Sequence, residues 1–347
     1  MMAGRKSLLT IMAFAALLSA GCRKANTIVD PGIGGSGHRG VFVINEGPWP
    51  NAGSVSFFDR LSGSVYQDAV PPSAGWITPN DAAVARGKLY VVVNGGDVVE
   101  VLNADTFEPV TTIHLAPGTF PGFISLLGDT VAFEVGYNGT VSRIDLLHDS
   151  VTATGPQVVA FPGGIACVGG SVYVSDYGSY LTPGKTVVVV DPAHLTAIDT
   201  LPVGSRPGML TSDGGSMLYL SCLESSFERG RIYSISSSTR MVTDSILVGG
   251  GPSDLRVRNG ALFVLHAGRV WKLGVHPLTI QDSSFITMTA GINYYSMGMD
   301  PANGDLYVSR IIGSGGNGML DIYSSDGRLL HASLGVGIFP GAYAFKE

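Results

Sequence analysis

Residues 79–115 read PNDAAVARGKLYVVVNGGDVVEVLNADTFEPVTTIHL, and the fold can be inferred from this segment. It contains four short apolar or β-branched runs, separated by turn residues at 86–88, 94–97 and 105–106. Short runs of this kind, bounded by glycine, asparagine and aspartate, are typical of β-strands joined by tight turns. The stretch therefore predicts a four-stranded antiparallel unit, whose strands we label A to D in chain order.

The same unit recurs along the chain, and most copies begin with a proline. The six copies start 42, 41, 45, 45 and 42 residues apart, at Pro79, Pro121, Pro162, Pro207, Pro252 and Tyr294. A period of about 40–45 residues with four strands per unit is the signature of β-propeller blades. The repeat thus predicts a radial array of similar blades.

A seventh copy is split between two distant segments. Residues 41–70 match strands B, C and D but lack strand A, whereas residues 340–345, PGAYAF, match strand A alone. We therefore expect an all-β fold over residues 41–347. It is a seven-bladed β-propeller of four-stranded blades, closed by the C-terminal strand joining the N-terminal blade. Closure by strand pairing leaves only short, protected sheet edges.

The first 40 residues predict export and anchoring. Arg5 and Lys6 precede an apolar run that ends in LSAGC at residues 18–22, which is the order of a secretory signal. We expect residues 1–21 to be a lipoprotein signal peptide with Cys22 as the lipidation site. Residues 22–40 then form a flexible tether, as their glycine, proline and serine content indicates. The alternative is an ordinary cleaved signal in which the cysteine is incidental.

Composition argues against several classes of partner. The chain has 48 glycines, 19 prolines, 14% charged residues and a net charge of −6, and removal of residues 1–21 leaves −8. An acidic chain without a lysine or arginine cluster argues against nucleic-acid binding and against electrostatic attraction to anionic lipid. Contact with the membrane is therefore expected through the lipid anchor only.

The sequence also offers little reactive chemistry. The seven histidines are scattered, and the chain lacks Cys-x-x-Cys, paired-histidine and Gly-x-Ser-x-Gly motifs. Cys167 and Cys222 either pair in an oxidising compartment or lie as small buried residues in separate strands. We expect no catalytic residues, no metal site and no cofactor.

Four aspartates resemble a carboxylate set, namely Asp59, Asp105, Asp145 and Asp191. They are expected at the same place in four copies, the C–D turn, where an aspartate side chain bonds to its own backbone two residues on. We interpret them as turn residues rather than as a binding site.

The connections between strands fall into two sets. In such a meander, the D–A and B–C connections lie on one face, which we call the loop face, and the A–B and C–D turns lie on the opposite turn face. The loop-face connections are longer and aromatic, and long loops on a rigid scaffold commonly carry function. The residues expected to bind a ligand there are Trp49, Trp76, Tyr137, Tyr177, Tyr180, Arg206, Phe227, Arg229, Tyr294, Tyr295, Arg310 and Phe339.

Two alternatives remain open at this face. The aromatic side chains either contact a ligand or pack as plugs over the ends of the blades. Asp81 and Asp254 either supply polar groups to a pocket or cap the start of strand A.

The segments from Pro121 to Asp145 and from Pro162 to Asp191 match the pattern Pro-x-x-Ile/Leu-Ala, Leu-Tyr-Val and Val-x-Val-Ile-Asp that units of the YncE-like propellers carry, and the chain resembles that group. The opening blade, VFVINEG at 41–47 and GSVSFFD at 53–59, is similar to that of exported propeller lipoproteins of Gram-negative bacteria. That group includes surface cobalamin-binding proteins of TonB-dependent uptake systems. The resemblance implies an outer-membrane lipoprotein that binds a small-molecule ligand, a corrinoid, for a TonB-dependent transporter. Because residues 23–25 are Arg-Lys-Ala rather than an acidic run, both the cell surface and the periplasmic face stay open as its location.

Three functions are compatible with these residues. We expect a non-catalytic binding protein rather than an enzyme. The alternatives are a protein–protein interaction scaffold in the cell envelope and a propeller enzyme of the lyase or quinoprotein type, since propellers also build catalytic sites from residues on several blades.

Overall fold

A computed structural model of the protein describes residues 39–73, 75–179, 181–223, 230–287, 293–313, 315 and 317–347. These residues contain 28 β-strands and one short 3-10 helix, Asn94–Gly96. The strands form seven antiparallel sheets of four. The predicted all-β, seven-bladed architecture is therefore confirmed. The predicted signal peptide and Cys22 lie outside the described residues.

The first four blades each run outward from strand A to strand D. Blade 1 consists of β28 (Pro340–Lys346), β1 (Gly40–Asn45), β2 (Ser54–Asp59) and β3 (Ser64–Val70). Blade 2 consists of β4 (Pro79–Ala85), β5 (Lys88–Val93), β6 (Val98–Asn103) and β7 (Pro109–His114). Blade 3 consists of β8 (Pro121–Leu127), β9 (Val131–Gly136), β10 (Thr140–Asp145) and β11 (Ser150–Gln157). Blade 4 consists of β12 (Pro162–Val168), β13 (Ser171–Gly178), β14 (Pro183–Val190) and β15 (Ala197–Pro202).

The remaining three blades have the same strand order. Blade 5 consists of β16 (Pro207–Ser212), β17 (Met217–Cys222), β18 (Arg231–Ser236) and β19 (Met241–Leu247). Blade 6 consists of β20 (Pro252–Arg258), β21 (Ala261–His266), β22 (Arg269–Val275) and β23 (Leu278–Ile286). Blade 7 consists of β24 (Asn293–Met299), β25 (Leu306–Ile311), β26 (Gly318–Tyr323) and β27 (Leu329–Gly335).

The C-terminal strand closes the ring, as the split seventh copy predicts. β28 pairs antiparallel with β1, with Phe345 opposite Val41 and Tyr343 opposite Val43. The A strands also pack side by side in a complete circle, from β28 through β4, β8, β12, β16, β20 and β24 back to β28. Because all blades share one axis, every connection of one class reaches the same face.

One aromatic residue in strand B packs each blade against the next. It is the third residue of the motif exemplified by Lys88-Leu89-Tyr90, and it is buried in all seven blades. The seven residues are Phe42, Tyr90, Phe133, Tyr173, Tyr219, Phe263 and Tyr307. Burial of one such side chain contributes about 1.5–3 kcal/mol. The repeat therefore supplies its own contact between blades.

The turn aspartates behave as expected in three of four blades. Asp59, Asp145 and Asp191 each accept the N–H of the residue two further along, at 3.0, 2.7 and 2.7 Å. The prediction for Asp105 is wrong. Asn103 holds the equivalent position, and its side-chain oxygen accepts the N–H of Asp105 at 2.8 Å. Asparagine supplies the same acceptor oxygen, so the turn is kept without the carboxylate.

Neither Cys167 nor Cys222 forms a disulfide in the described part of the chain. Cys167 lies in β12, and Cys222 ends β17 in the next blade. Burial raises the pKa of the Cys167 thiol to about 12, so this thiol stays protonated at neutral pH. In the part of the chain that the structure describes, no helix has the length and apolar character needed to cross a membrane.

Candidate functional site: a funnel on the loop face

A cavity of about 320 Å³ lies at the centre of the ring. Its wall is formed by the first residues of the A strands together with two residues of B–C loops, so it opens on the loop face. The residues that line this cavity, which we call the funnel, are Glu46, Asn80, Asp81, Phe123, Tyr137, Met209, Ser253, Asp254, Arg256, Tyr295, Ser296, Gly341, Ala342 and Tyr343.

The repeat explains much of this lining. The third residue of each predicted copy, counted from the start of strand A, faces the funnel in six of the seven blades. These six residues are Asp81, Phe123, Met209, Asp254, Ser296 and Ala342. Gly164 is the equivalent residue in blade 4. One column of the repeat alignment therefore sets the chemistry of the funnel wall.

Two aspartates in this column join neighbouring blades. Asp81 accepts the N–H of the next residue at 2.9 Å and, across the blade boundary, the N–H of Ile124 at 3.0 Å. Asp254 makes the same two bonds at 2.9 Å each, the second with Met297. Burial raises the pKa of both carboxyls, that of Asp81 to about 6. These side chains thus line the funnel and also hold its wall together.

Arg256 is the only arginine among the described funnel residues, and it is already engaged. Its guanidinium lies 2.5 Å from the Asp254 carboxylate. The same guanidinium nitrogen donates to the carbonyl oxygen of Leu255 at 2.6 Å. One guanidinium nitrogen of Arg256 is therefore held by the wall of the funnel.

Glu46 is the first residue after β1, and sequence reasoning did not select it. The hydroxyl of Tyr295 lies 2.9 Å from each of its two carboxylate oxygens. Burial raises the pKa of the Glu46 carboxyl, and the hydrogen bond from Tyr295 partly offsets this rise. Gly341 packs directly against Oε1, so a Cβ at that position would overlap the carboxylate. The glycine therefore makes room for an acid at the mouth of the funnel.

A row of side chains continues from the funnel across blades 3 to 5. Tyr137 stacks on Phe161, with ring centroids 4.8 Å apart and planes inclined by 14°. Phe161 meets Tyr177 edge-on at 6.5 Å, and the guanidinium of Arg206 lies 5.5 Å from the centre of the Tyr177 ring. We call Tyr137, Phe161, Tyr177 and Arg206 the rim. Three of the four were predicted, and Phe161 was not.

The backbone at the mouth is left-handed in four blades, at the residue before strand A. Thr78, Phe120, Arg206 and Phe339 have φ of 53°, 49°, 54° and 54°. Such values are uncommon for residues other than glycine, and strained residues cluster at binding sites. Arg206 belongs to the rim, and the Phe339 ring lies 6.0 Å from that of Tyr295. Two of these four residues therefore lie beside the aromatic rings of the mouth.

Both predicted tryptophans lie outside the funnel. Trp76 is only 6% exposed and packs in the core between blades 1 and 2, whereas Trp49 is 80% exposed and lies outside the funnel lining. Three further predicted residues, Tyr180, Phe227 and Arg229, lie outside the described residues.

Tyr294 and Arg310 serve blade 7 itself. The hydroxyl of Tyr294 bonds to that of Tyr323 at 2.7 Å. Arg310 is buried and pairs with Asp321 at 2.9 Å. Both side chains therefore make contacts within the blade. Of the predicted residues, Tyr137 and Tyr295 line the funnel. Tyr177 and Arg206 belong to the rim, and Phe339 packs beside Tyr295.

Several solved structures share this architecture. Hydrazine synthase of Kuenenia stuttgartiensis aligns with a TM-score of 0.60 at 15% identity, over 76% of this chain and 88% of that chain. A quinoprotein alcohol dehydrogenase-like protein of Bacteroides thetaiotaomicron VPI-5482 aligns with a TM-score of 0.65 at 16% identity, over 89% and 79%. The β-propeller domain of Myceliophteria thermophila Cps50 (Swd1) aligns with a TM-score of 0.62 at 14% identity, over 76% and 89%. At these identities the likeness shows the fold alone.

No curated protein matches the sequence. A family model described as "Domain of unknown function (DUF5074)" matches residues 39–325. That span runs from the start of the first blade to the C–D turn of the seventh, and so covers most of the chain. The protein therefore belongs to the DUF5074 family.

Proposed function

We propose that this protein is a non-catalytic binding protein that captures a small ligand in the funnel on its loop face. The observation that carries the proposal is the funnel itself. It brings four aromatic rings, three carboxyl groups and several hydroxyl and amide groups around one cavity of about 320 Å³. Ligand sites combine such rings with a few well-placed polar groups.

The chemistry of the lining favours binding over catalysis. The two aspartates are held by backbone N–H groups, and Arg256 is held by Asp254. The described lining residues include no histidine, cysteine or lysine that would activate a nucleophile. A wall fixed in this way loses little entropy when a ligand binds.

The finer proposal is that the ligand is a corrinoid, handed on to a TonB-dependent transporter. Its support is the resemblance of the opening blade to cobalamin-binding lipoproteins, together with the flat stack of Tyr137 on Phe161. A cavity of about 320 Å³ is at the lower end of the range for ligand pockets. A corrin ring would therefore lie across the rim rather than enter the funnel.

Calorimetry with cyanocobalamin tests this proposal on the mature chain. The double variant Phe161→Ala/Tyr177→Ala removes two rings of the rim, and we expect about ten-fold weaker binding or worse. Met241→Ala is the matched control, because Met241 is an exposed apolar side chain on the outer strand β19. If the parent protein does not bind cyanocobalamin, the corrinoid proposal is rejected. If the control weakens binding equally, the rim is not the site.

We also propose that Cys22 carries the lipid anchor in the outer membrane, on the evidence of the signal-like residues 1–22. Labelling with radioactive palmitate tests this in intact cells. The parent is expected to carry label in the membrane fraction, whereas Cys22→Ser loses the label and leaves the membrane. Protease digestion of whole cells then separates cell-surface from periplasmic exposure. A labelled Cys22→Ser variant contradicts the assignment.

A second candidate function is a docking scaffold for another envelope protein. It is favoured by apolar side chains exposed on the loop face, since such groups often mark interaction sites. Trp49, Leu181 and Phe120 are 80%, 88% and 52% exposed. Pull-down from solubilised membranes with Trp49→Ala/Leu181→Ala tests this function. Loss of a partner with unchanged corrinoid binding supports a scaffold, and retention of the partner argues against it.

A further inference from the structure

We infer that the funnel selects its ligand by positive charge, and that it holds an organic cation, an ammonium or alkylated ammonium group, between Glu46 and the rings of Tyr137 and Tyr295. This inference rests on the proposed binding function and specifies the ligand class of the same site. It concerns a ligand that enters the cavity and does not extend to the corrinoid, which carries no ammonium group and would cover only the rim.

The lining of the funnel has more acidic than basic side chains. Glu46, Asp81 and Asp254 bring three carboxyl groups to the cavity, and Arg256 brings the one guanidinium found among its described residues. With these groups ionised, the lining carries two excess negative charges. A cleft of one sign with apolar walls concentrates the field in its interior and attracts counter-ions. The guanidinium is the one positive group that the described lining offers an anion, and the Asp254 carboxylate already lies 2.5 Å from it.

Glu46 is the available carboxylate of the three. Each carboxylate oxygen of Asp81 and Asp254 accepts one backbone N–H, so these two side chains serve to hold the blades together. An ionised carboxylate has about four lone-pair sites. Among the described residues, the side chain of Glu46 accepts from the hydroxyl of Tyr295, whose single proton serves two oxygens at 2.9 Å. Most of its capacity to accept hydrogen bonds or to face a cation is therefore left for a ligand.

Aromatic rings surround the cavity beside Glu46. Phe123, Tyr137, Tyr295 and Tyr343 all line the cavity. A cation within about 6 Å of the centre of an aromatic ring is attracted by its negative face, and rings combined with an acid are a known way to bind alkylated ammonium groups. Tyr137 is held between Phe123 and Phe161, at centroid distances of 5.9 and 4.8 Å, so its orientation is fixed before a ligand arrives.

The funnel lining suits an organic cation better than a metal ion. Calcium requires six to eight oxygen ligands around one point. In the described residues, no three acidic, histidine or cysteine side chains come close enough to hold a metal ion. Aromatic rings also provide no ligands for a hard metal ion but do provide contacts for methyl or methylene groups. The combination present in the funnel therefore suits an alkylated ammonium group.

A matched pair of probes tests this inference by calorimetry or NMR titration of the mature chain. Choline carries the cation, and neohexanol is its neutral carbon isostere. We expect choline to bind at least about ten-fold more tightly than neohexanol. Glu46→Gln keeps the shape and a hydrogen-bond partner for Tyr295 but removes the charge, and it should weaken choline binding by about ten-fold. Glu108→Gln makes the same change in an exposed turn-face residue and should have no effect.

The outcomes separate this inference from the proposed function. If neohexanol binds in the funnel as tightly as choline, or if Glu46→Gln leaves choline binding unchanged, selection by charge is overturned while the funnel remains a binding site. If neither probe binds, selection by charge is also overturned. The proposed function then stands or falls separately on the effect of the rim variants on cyanocobalamin. Circular dichroism of Glu46→Gln verifies that the variant is folded.

Discussion

The loop face and the turn face are built from the same repeat, yet they use polar side chains differently. On the turn face, ion pairs join neighbouring blades at 2.5 Å each, between Lys88 and Asp149, Lys346 and Asp105, and Arg60 and Asp300. On the loop face, Glu46 keeps acceptor capacity beside a ring-lined cavity. Both faces therefore join neighbouring blades through charged side chains, and the loop face in addition presents groups to a ligand. Four predictions test this contrast, from the largest effect to the smallest.

The largest effect is expected from removing the strand that both faces share. A chain ending at Gly337 lacks β28, so β1 loses its inner partner and the circle of A strands is broken. We expect loss of cooperative thermal unfolding and aggregation, because an unpaired strand edge and buried apolar residues become exposed. Far-ultraviolet circular dichroism and size-exclusion chromatography measure this. Deletion of Glu347 alone is the control, and a truncated chain that melts like the parent contradicts ring closure.

The next effect concerns Asp254 and its hydrogen bonds to Leu255 and Met297, which we call the loop-face clamp. Asp254→Ala removes the acceptor of the Leu255 and Met297 N–H groups and the partner of Arg256. A buried N–H left without an acceptor costs about 1–3 kcal/mol, so we expect the two N–H groups together to lower the unfolding free energy by about 2–5 kcal/mol in urea denaturation. Asp254→Asn keeps an acceptor and should lose less. A loss from Asp254→Ala no larger than that from an exposed ion pair would show that this clamp does not support the funnel.

A third effect arises in the interface between blades 2 and 3, where Glu134 is fully buried. The equivalent position holds valine or leucine in the other six blades, at Val43, Val91, Val174, Leu220, Val264 and Val308. Neither carboxyl oxygen has a hydrogen-bond partner of normal geometry. Gly122 N–H and the Ser142 hydroxyl favour the charged form weakly, but burial dominates and raises the pKa of Glu134 to about 8.

The folded state therefore binds the Glu134 proton more tightly than the unfolded state, in which the pKa is about 4.5. The contribution of this bound proton to the unfolding free energy is complete below pH 4.5 and is lost as the pH rises toward 8. Glu134→Gln cannot ionise, so the fall in unfolding free energy between pH 5 and pH 8 should shrink by on the order of 3 kcal/mol. Urea denaturation at both pH values measures this, with Glu108→Gln as the control. An unchanged pH dependence contradicts the assignment.

The smallest effect is expected on the turn face. Asp149→Asn removes the charge that pairs with Lys88 but keeps a side chain that tolerates the left-handed backbone, φ 49°, and can still accept from the Tyr90 hydroxyl. A partly exposed ion pair contributes about 0–1 kcal/mol, so we expect a loss of about that size. The measurement is urea denaturation at low and high salt. A loss as large as that of Asp254→Ala would remove the energetic difference between the two faces.

The fold was predictable because its information is repeated. Proline at the start of strand A, the aromatic residue in strand B and the 41–45 residue spacing recur around the ring, so errors in single copies do not matter. The one wrong turn assignment, Asp105, arose because Asn103 provides the same acceptor oxygen two residues earlier. The closing strand could also be predicted, since residues 340–345 match strand A, which residues 41–70 lack.

The site was less predictable because it depends on what differs between copies. Loop aromatics such as Trp76 and Tyr295 look alike in sequence, but the path of each loop sends the first into the core and the second to the cavity. Glu46 is the only acid at its place in the repeat, four residues after the strand-B aromatic, where blades 3 and 4 have Tyr137 and Tyr177. The signal that was available is the third column of the repeat, which contains Asp81, Phe123 and Asp254 and faces the axis of the ring. Alignment of the copies by blade, rather than inspection of the loops, identifies those residues.

The central claim is that ligands bind on the loop face, and fluorine NMR of fluorotyrosine-labelled protein tests it most directly. Tyr137 and Tyr295 report on the funnel, and Tyr90 and Tyr173, whose hydroxyls bond to turn-face groups of the next blade, serve as internal references. Each resonance is assigned with a Tyr→Phe variant, and choline and cyanocobalamin are titrated separately. We predict that at least one of the two probes shifts the Tyr137 and Tyr295 resonances and leaves those of Tyr90 and Tyr173 in place. Shifts confined to Tyr90 and Tyr173, or no shift with either probe, would contradict the account.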